Sequence, residues 1–187
     1  QIQFVDINNG WLLYFNFTTQ VVTFLKTTDG GNNWIPFNGA GIFYFVDSNN
    51  GWSYYGSGVN GVEPPFKILR TTNGGTDWVE QFSDNTSGVY NAIYFSNVNH
   101  GWIVGDAGKV LKTTDGGANW NFVTNSGINP SERSKAVFFL DANTGWISTK
   151  DGFGNGIIQH TTNGGTSWTT QGTPLANPQG GNSIYSI

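Results

Sequence analysis

The chain has 187 residues, a net charge of -4 and no cysteine, with 37% hydrophobic and only 11% charged residues. Without cysteine it has no disulfides, no thiol catalysis and no thiolate metal site. Eight Lys plus Arg leave no basic field for nucleic acid or an anionic membrane surface, and no apolar run approaches the roughly 20 residues that insert in a bilayer.

Eight Trp, fourteen Phe, seven Tyr and 27 Gly describe short strands joined by tight turns, so the class is all-β. Residues 1–5 read as a strand, without the basic and apolar regions of a signal peptide; an exported form would already have lost its leader. The strand runs into Phe4-Val5-Asp6-Ile7-Asn8-Asn9-Gly10-Trp11, a pattern that returns at residues 45–52, 95–102 and 139–146. A second motif, Thr-Thr-Asp/Asn-Gly-Gly-x-x-Trp, alternates with the first at residues 27–34, 71–78, 113–120 and 161–168.

The second motif recurs every 42 to 48 residues, with four strand-like runs per repeat. In the third repeat these runs are 89–95, 102–105, 109–114 and 120–124. A four-stranded antiparallel meander per repeat is a β-propeller blade, whereas a β-solenoid would use shorter, parallel coils. The predicted architecture is four blades, at about 1–40, 41–86, 87–130 and 131–176, with 182–187 starting a fifth. That makes a partial propeller, or one completed by a neighbouring molecule.

In the second motif Asp29, Asn73, Asp115 and Asn163 are expected to accept backbone N–H bonds within the turn between strands three and four. The glycines that follow permit positive φ. Trp34, Trp78, Trp120 and Trp168 are expected to anchor the outer strands in the seams between sheets. Interchange of Asp and Asn at one position argues for hydrogen bonding rather than metal ligation, and no metal or other cofactor is expected.

These boxes resemble the Asp-box, or bacterial neuraminidase repeat, of sialidases and other propellers. The two motifs together resemble the photosystem II assembly and stability factor-like propellers, a family also found as exported repeat proteins in non-photosynthetic bacteria. The resemblance covers nearly the whole chain and implies fold more than function. A sialidase-like site would require an arginine triad, and the chain has only Arg70 and Arg133. The photosynthetic family's arginine-rich docking surface has no counterpart for the same reason. Histidines 100 and 160 lack metal-ligand spacing, and no carboxylate pair carries a glycosidase motif.

A basic residue precedes each box, at Lys26, Arg70, Lys112 and His160, and is expected to form a surface charge ladder paired with Asp6, Asp47 and Asp141, the alternative being a basic stripe that docks an acidic partner. The turns after strands one and three share one end of the sheets. At the other end lie segments that differ in every blade: 56–65, 83–88, 125–134, 150–155 and 173–181. Binding is expected there, with Tyr54, Tyr55, Glu63, Arg133 and Phe153 as candidate contacts. The function expected is a non-catalytic, secreted or cell-surface bacterial scaffold that binds a protein partner or itself, with filaments forming through unpaired terminal strands. The alternative is a glycan-binding or sialidase-like glycoside-hydrolase propeller whose active site is incomplete in this chain.

Overall fold

The structure is a computed structural model that describes residues 1–56, 65–85 and 89–171. Glu63 and the strand expected at 182–187 lie outside the described residues. Among the described residues sixteen strands form four sheets, each an antiparallel meander in chain order. Blade 1 is β1 (Ile2–Phe4), β2 (Gly10–Asn16), β3 (Val21–Thr27) and β4 (Ile35–Pro36). Blade 2 is β5 (Ile42–Phe45), β6 (Gly51–Tyr55), β7 (Phe66–Thr71) and β8 (Val79–Asp84). Blade 3 is β9 (Tyr90–Phe95), β10 (Gly101–Gly105), β11 (Val110–Thr113) and β12 (Asn121–Phe122). Blade 4 is β13 (Arg133–Phe139), β14 (Gly145–Lys150), β15 (Gly156–Thr161) and β16 (Thr169–Gln171).

The β1 strand is therefore not an unpaired end: it pairs with β2 from Ile2↔Leu12 to Phe4↔Gly10. That register sets the packing of every blade. The last residue of the inner strand lies opposite the glycine that opens the second strand, as in Phe45↔Gly51, Phe95↔Gly101 and Phe139↔Gly145. A Cβ on Gly10, Gly51, Gly101 or Gly145 would come within 2.7, 2.5, 2.3 and 2.5 Å of its Phe ring. Glycine is there to let an aromatic ring lie flat across the neighbouring strand.

The other face of that ring takes the preceding blade. Trp11 stacks on Phe45 at 3.7 Å, Trp52 on Phe95 at 3.6 Å and Trp102 on Phe139 at 3.5 Å. Each indole N–H then donates to a box carbonyl of that next blade: Trp11 to Gly74 at 3.3 Å, Trp52 to Gly116 and Trp102 to Gly164, both at 3.0 Å. Burial, ring stacking and a satisfied N–H coincide in one side chain. The Trp of the first motif shares each seam with a box Trp: Trp78 donates its indole N–H to the Asn38 carbonyl of blade 1, Trp120 is buried with Trp52 and Trp168 with Trp102. The box tryptophans meet the same Phe rings edge-on from within their own blade, Trp34 on Phe4, Trp78 on Phe45, Trp120 on Phe95 and Trp168 on Phe139.

The described residues do not close a ring. In blade 1 the face opposite the Trp11 seam carries Ile2 and Phe4, 62% and 43% exposed. Among the described residues no helix is long and apolar enough to cross a membrane.

Candidate interaction face

The end of the sheets that carries the boxes is committed to internal bonding. In blade 3, Thr113 donates to Asp115 Oδ1 at 2.9 Å and accepts the Gly117 N–H at 2.8 Å, while Asp115 Oδ1 accepts the Asn119 N–H at 2.9 Å. Gly116 N–H reaches back to the Asn99 carbonyl at 2.9 Å, tying the box to the first turn of its own blade. The same bonds recur in the other boxes. Both box glycines sit at positive φ, 71° and 91° for Gly116 and Gly117, which other residues adopt only with strain.

The second side-chain group at the Asp/Asn position pairs four residues on, and the polarity of the pair alternates. Asp29 and Asp115 accept from the amides of Asn33 and Asn119, at 2.7 and 2.8 Å. Asn73 and Asn163 instead donate to Asp77 and Ser167, at 2.9 and 2.8 Å. The first turns have their own clasp, in which Asp6, Asp47, Asn97 and Asp141 each accept two backbone N–H groups through Oδ1. Bonding from the Asn33 and Asn119 side chains first, then from backbone, holds the Asp29 and Asp115 carboxyls below their ordinary range.

The basic residues before the boxes do not pair with the first-turn aspartates; among the described residues no ion pair joins the two series. They reach across the seams instead. Lys26, Arg70 and Lys112 lie against the first box glycine of the next blade, Gly74, Gly116 and Gly164. Arg70 also lies over the Trp52 ring, at 5.3 Å, and burial lowers the Lys112 ammonium. His160, without a following blade among the described residues, stacks on Trp146 of its own sheet at 5.0 Å.

The opposite end is built differently, because two inner strands bulge there. The β9–β10 ladder steps from Ala92↔Val104 to Tyr90↔Gly105, leaving Asn91 unpaired in the ladder. The β13–β14 ladder steps from Ser134↔Thr149 to Ala136↔Ser148, leaving Lys135 likewise. A bulge re-aims a side chain, and both of these turn to Asp106. The Asn91 amide donates to Asp106 Oδ1 at 2.7 Å and to the Ser134 carbonyl at 2.8 Å; Lys135 Nζ lies 3.7 Å from Oδ1. Arg133, paired with Asp106 through an isolated bridge, has its Nε 3.8 Å from Oδ2 and its side chain 67% exposed. Two cations against one carboxylate leave surplus positive charge, carried outward by the Arg133 guanidinium.

Beside this cluster lies a cleft of about 460 Å³ between residues 107–110 and 122–130. Ala107 and Asn125, both non-glycine residues at positive φ, line it. On blade 4, Phe153 stands 87% exposed at the tip of the β14–β15 turn. That turn is pinned by Asp151, whose Oδ1 accepts from the N–H of Phe153 and Asn155 at 2.9 and 2.8 Å. Phe153 is thus an exposed aromatic on an ordered turn.

Other sequence-predicted contacts are placed elsewhere. Tyr54 is fully buried, its hydroxyl donating to the Tyr90 carbonyl at 3.4 Å, so it belongs to the core. Tyr55 is half-buried at the end of β6. The segment 125–134 is in large part structural. Ser126, Ile128 and Glu132 are buried, and the Ser126 carbonyl accepts the Trp168 N–H at 2.7 Å. Glu132 accepts from Thr149 at 2.5 Å and from Gln159 at 3.1 Å, so its carboxylate is spoken for. Asn91, Asp106 and Lys135 carry no motif, and only the bulges bring them together. Among the described residues no three His, Asp or Glu side chains are grouped to hold a metal.

Four meanders stacked face to face, each clamped by a Thr-Asp/Asn box, define an Asp-box β-propeller. Within that class the chain belongs to the family described as Photosynthesis system II assembly factor YCF48, whose model matches residues 80–181. Photosystem II assembly lipoprotein Ycf48 of Synechococcus sp. (strain CC9902) is 33% identical over 79 residues, 41% of this chain and 22% of that protein. The match thus spans about a fifth of that curated relative. YCF48 from Cyanidioschyzon merolae superposes with a TM-score of 0.60 at 22% identity, covering 94% of this chain and 56% of that one. The GH74 enzyme of Niastella koreensis gives 0.61 at 20% identity, over 87% and 28% of the two chains. Likeness at these identities is one of fold, shared by an assembly factor and a glycoside hydrolase.

Proposed function

We propose that the chain is a non-catalytic propeller scaffold of the bacterial envelope or cell surface. It docks a protein partner on the end opposite the boxes. One observation carries the partner site. Paired bulges gather Asn91 and Lys135 on Asp106 and leave the Arg133 guanidinium exposed, on the same end as the pinned aromatic Phe153. An aromatic anchor and an arginine are the side chains that most often dominate a protein interface. At the box end the Asp29 and Asp115 carboxylates are already occupied by backbone and amide donors. Family membership supports an assembly role, and the lipoprotein name of the Synechococcus relative supports export.

The test is affinity enrichment from solubilised envelopes of the source organism, with the wild-type chain and an Arg133→Glu/Phe153→Ser variant. A protein retained by the first and lost by the second, at equal melting temperature, is the expected result. Equal retention by both, or hydrolysis of a xyloglucan or sialoside panel by the purified chain, would overturn the reading.

A further inference from the structure

Blade 3 has a slot where blade 2 has strand. In blade 2 the β7–β8 ladder runs from Arg70↔Val79 to Phe66↔Asp84 and covers nearly all of β7. In blade 3 the β11–β12 ladder has two pairs, Leu111↔Phe122 and Lys112↔Asn121, and one further rung from the Val123 N–H to the Val110 carbonyl at 2.9 Å. The chain then turns at Thr124 and Asn125 instead of continuing along the edge. The backbone groups of Gly108, Thr124 and Asn125 make no backbone hydrogen bond to another described residue.

The gap left there is the cleft of about 460 Å³ between residues 107–110 and 122–130. Every residue that lines it is described, and blade 3 is flanked on both sides by a described blade. Its floor is seam core: Val110 and Ile128 are buried between blades 3 and 4, and Val123 packs against them. Its lips are left-handed backbone, Ala107 at a φ of 59° on one side and Asn125 at 56° on the other. Two non-glycine residues in that region at one cleft fit a clamp that the surrounding structure holds in place. A cleft of this size, with an apolar floor and a few polar groups at the rim, suits an inserted side chain.

The charge beside it is equally defined. Asp106 faces Arg133 at 3.8 Å and Lys135 at 3.7 Å, and the Arg133 side chain is 67% exposed against 26% for Lys135. The positive charge left over therefore sits on Arg133.

We propose that the cleft takes an extended segment of the partner protein in which an acidic residue lies beside a bulky apolar one. The apolar side chain fills the space over Val110, Val123 and Ile128, and the carboxylate pairs with the Arg133 guanidinium. The segment's backbone meets the Gly108 peptide groups, which a longer β12 would have covered, as a strand added at the outer edge. This rests on the docking reading above and adds to it the chemistry of the occupant.

The test is selection of a random peptide-display library on the purified chain, followed by fluorescence anisotropy of the selected peptide. The expected consensus sets Asp or Glu beside Leu, Ile or Phe. Binding should weaken tenfold or more in Arg133→Gln and in Thr124→Trp, which fills the cleft from an exposed position. Thr124→Glu, which puts a carboxylate on the lip, should weaken it as well and serves if Thr124→Trp does not fold. A peptide whose acidic residue is replaced by the amide should bind wild type and Arg133→Gln alike, the mark of a direct pair.

A library that yields no binder, a consensus without an acidic residue, or binding that survives Arg133→Gln or both Thr124 variants would each overturn the proposal. Envelope enrichment separates this proposal from the docking reading. A partner retained by the Thr124 variants but lost from Arg133→Glu/Phe153→Ser refutes the cleft alone. A peptide that binds as expected, while Arg133→Glu/Phe153→Ser still retains the envelope partner, refutes the docking reading and upholds the chemistry of the cleft.

Discussion

Phe95 and Phe4 hold the same place in their blades, cross their strands over the same glycine and meet the same box Trp edge-on, yet one is 2% exposed and the other 43%. The difference lies outside the blade: Trp52 covers Phe95, and among the described residues no indole covers Phe4. Each blade therefore builds half of its aromatic junction by itself and receives the rest from a neighbour. In repeat folds, stability divides into a term for each unit and a term for each interface, and this pair of residues separates the two.

Alanine at each position isolates the interface term. Phe95→Ala removes a ring packed on both faces and is expected to cost about 3–5 kcal/mol. Phe4→Ala, which removes a ring that is already 43% exposed, should cost no more than about 1 kcal/mol. Equal losses in urea denaturation would mean that the open face is covered in solution. The glycines beneath make a finer comparison. Gly101→Ala drives a methyl to within 2.3 Å of a ring that Trp52 clamps from the other side, an overpacking worth about 1–3 kcal/mol. At Gly10 the approach is 2.7 Å, but Phe4 is free to swing outward. Gly10→Ala should therefore cost clearly less in the same denaturation series.

The blades and their order were legible from the two motifs, because each motif fixes a turn and both recur with one period. That the Trp of the first motif joins the box Trp in the seam was not, because its stacking on the next blade's Phe depends on strand register, which places Phe45 opposite Gly51. The alternation of Asp and Asn in the boxes was visible, but its cause came from the structure, which pairs Asp29, Asn73, Asp115 and Asn163 with the complementary Asn33, Asp77, Asn119 and Ser167. The Asp106 cluster left no trace in the sequence, because a bulge adds one residue to a strand without changing its composition. The buried half of 125–134 had a faint signal in Ile128, an isolated apolar residue in a polar stretch, which packs in the seam of blades 3 and 4.

The boxes should be indifferent to whether a blade is covered, which gives the smallest effect and the sharpest limit on the comparison. Asp29 belongs to the uncovered blade and Asp115 to a covered one, yet both make the same bonds and both carboxyls are held below the ordinary 3.8. A carboxyl whose folded value is depressed adds stability that is fully present above 3.8. That stability is lost as the pH falls further, through the folded value. Asparagine at either position can still accept the backbone N–H through Oδ1, and its amide can pair with a flipped Asn33 or Asn119, as Asn163 does with Ser167. Asp29→Asn and Asp115→Asn should therefore leave the neutral-pH melting temperature nearly unchanged and flatten its decline below about pH 4. The two variants should flatten it by the same amount. A larger effect at Asp115 would show that the box senses the neighbouring blade, and the division between what a blade builds and what it receives would have to be drawn elsewhere.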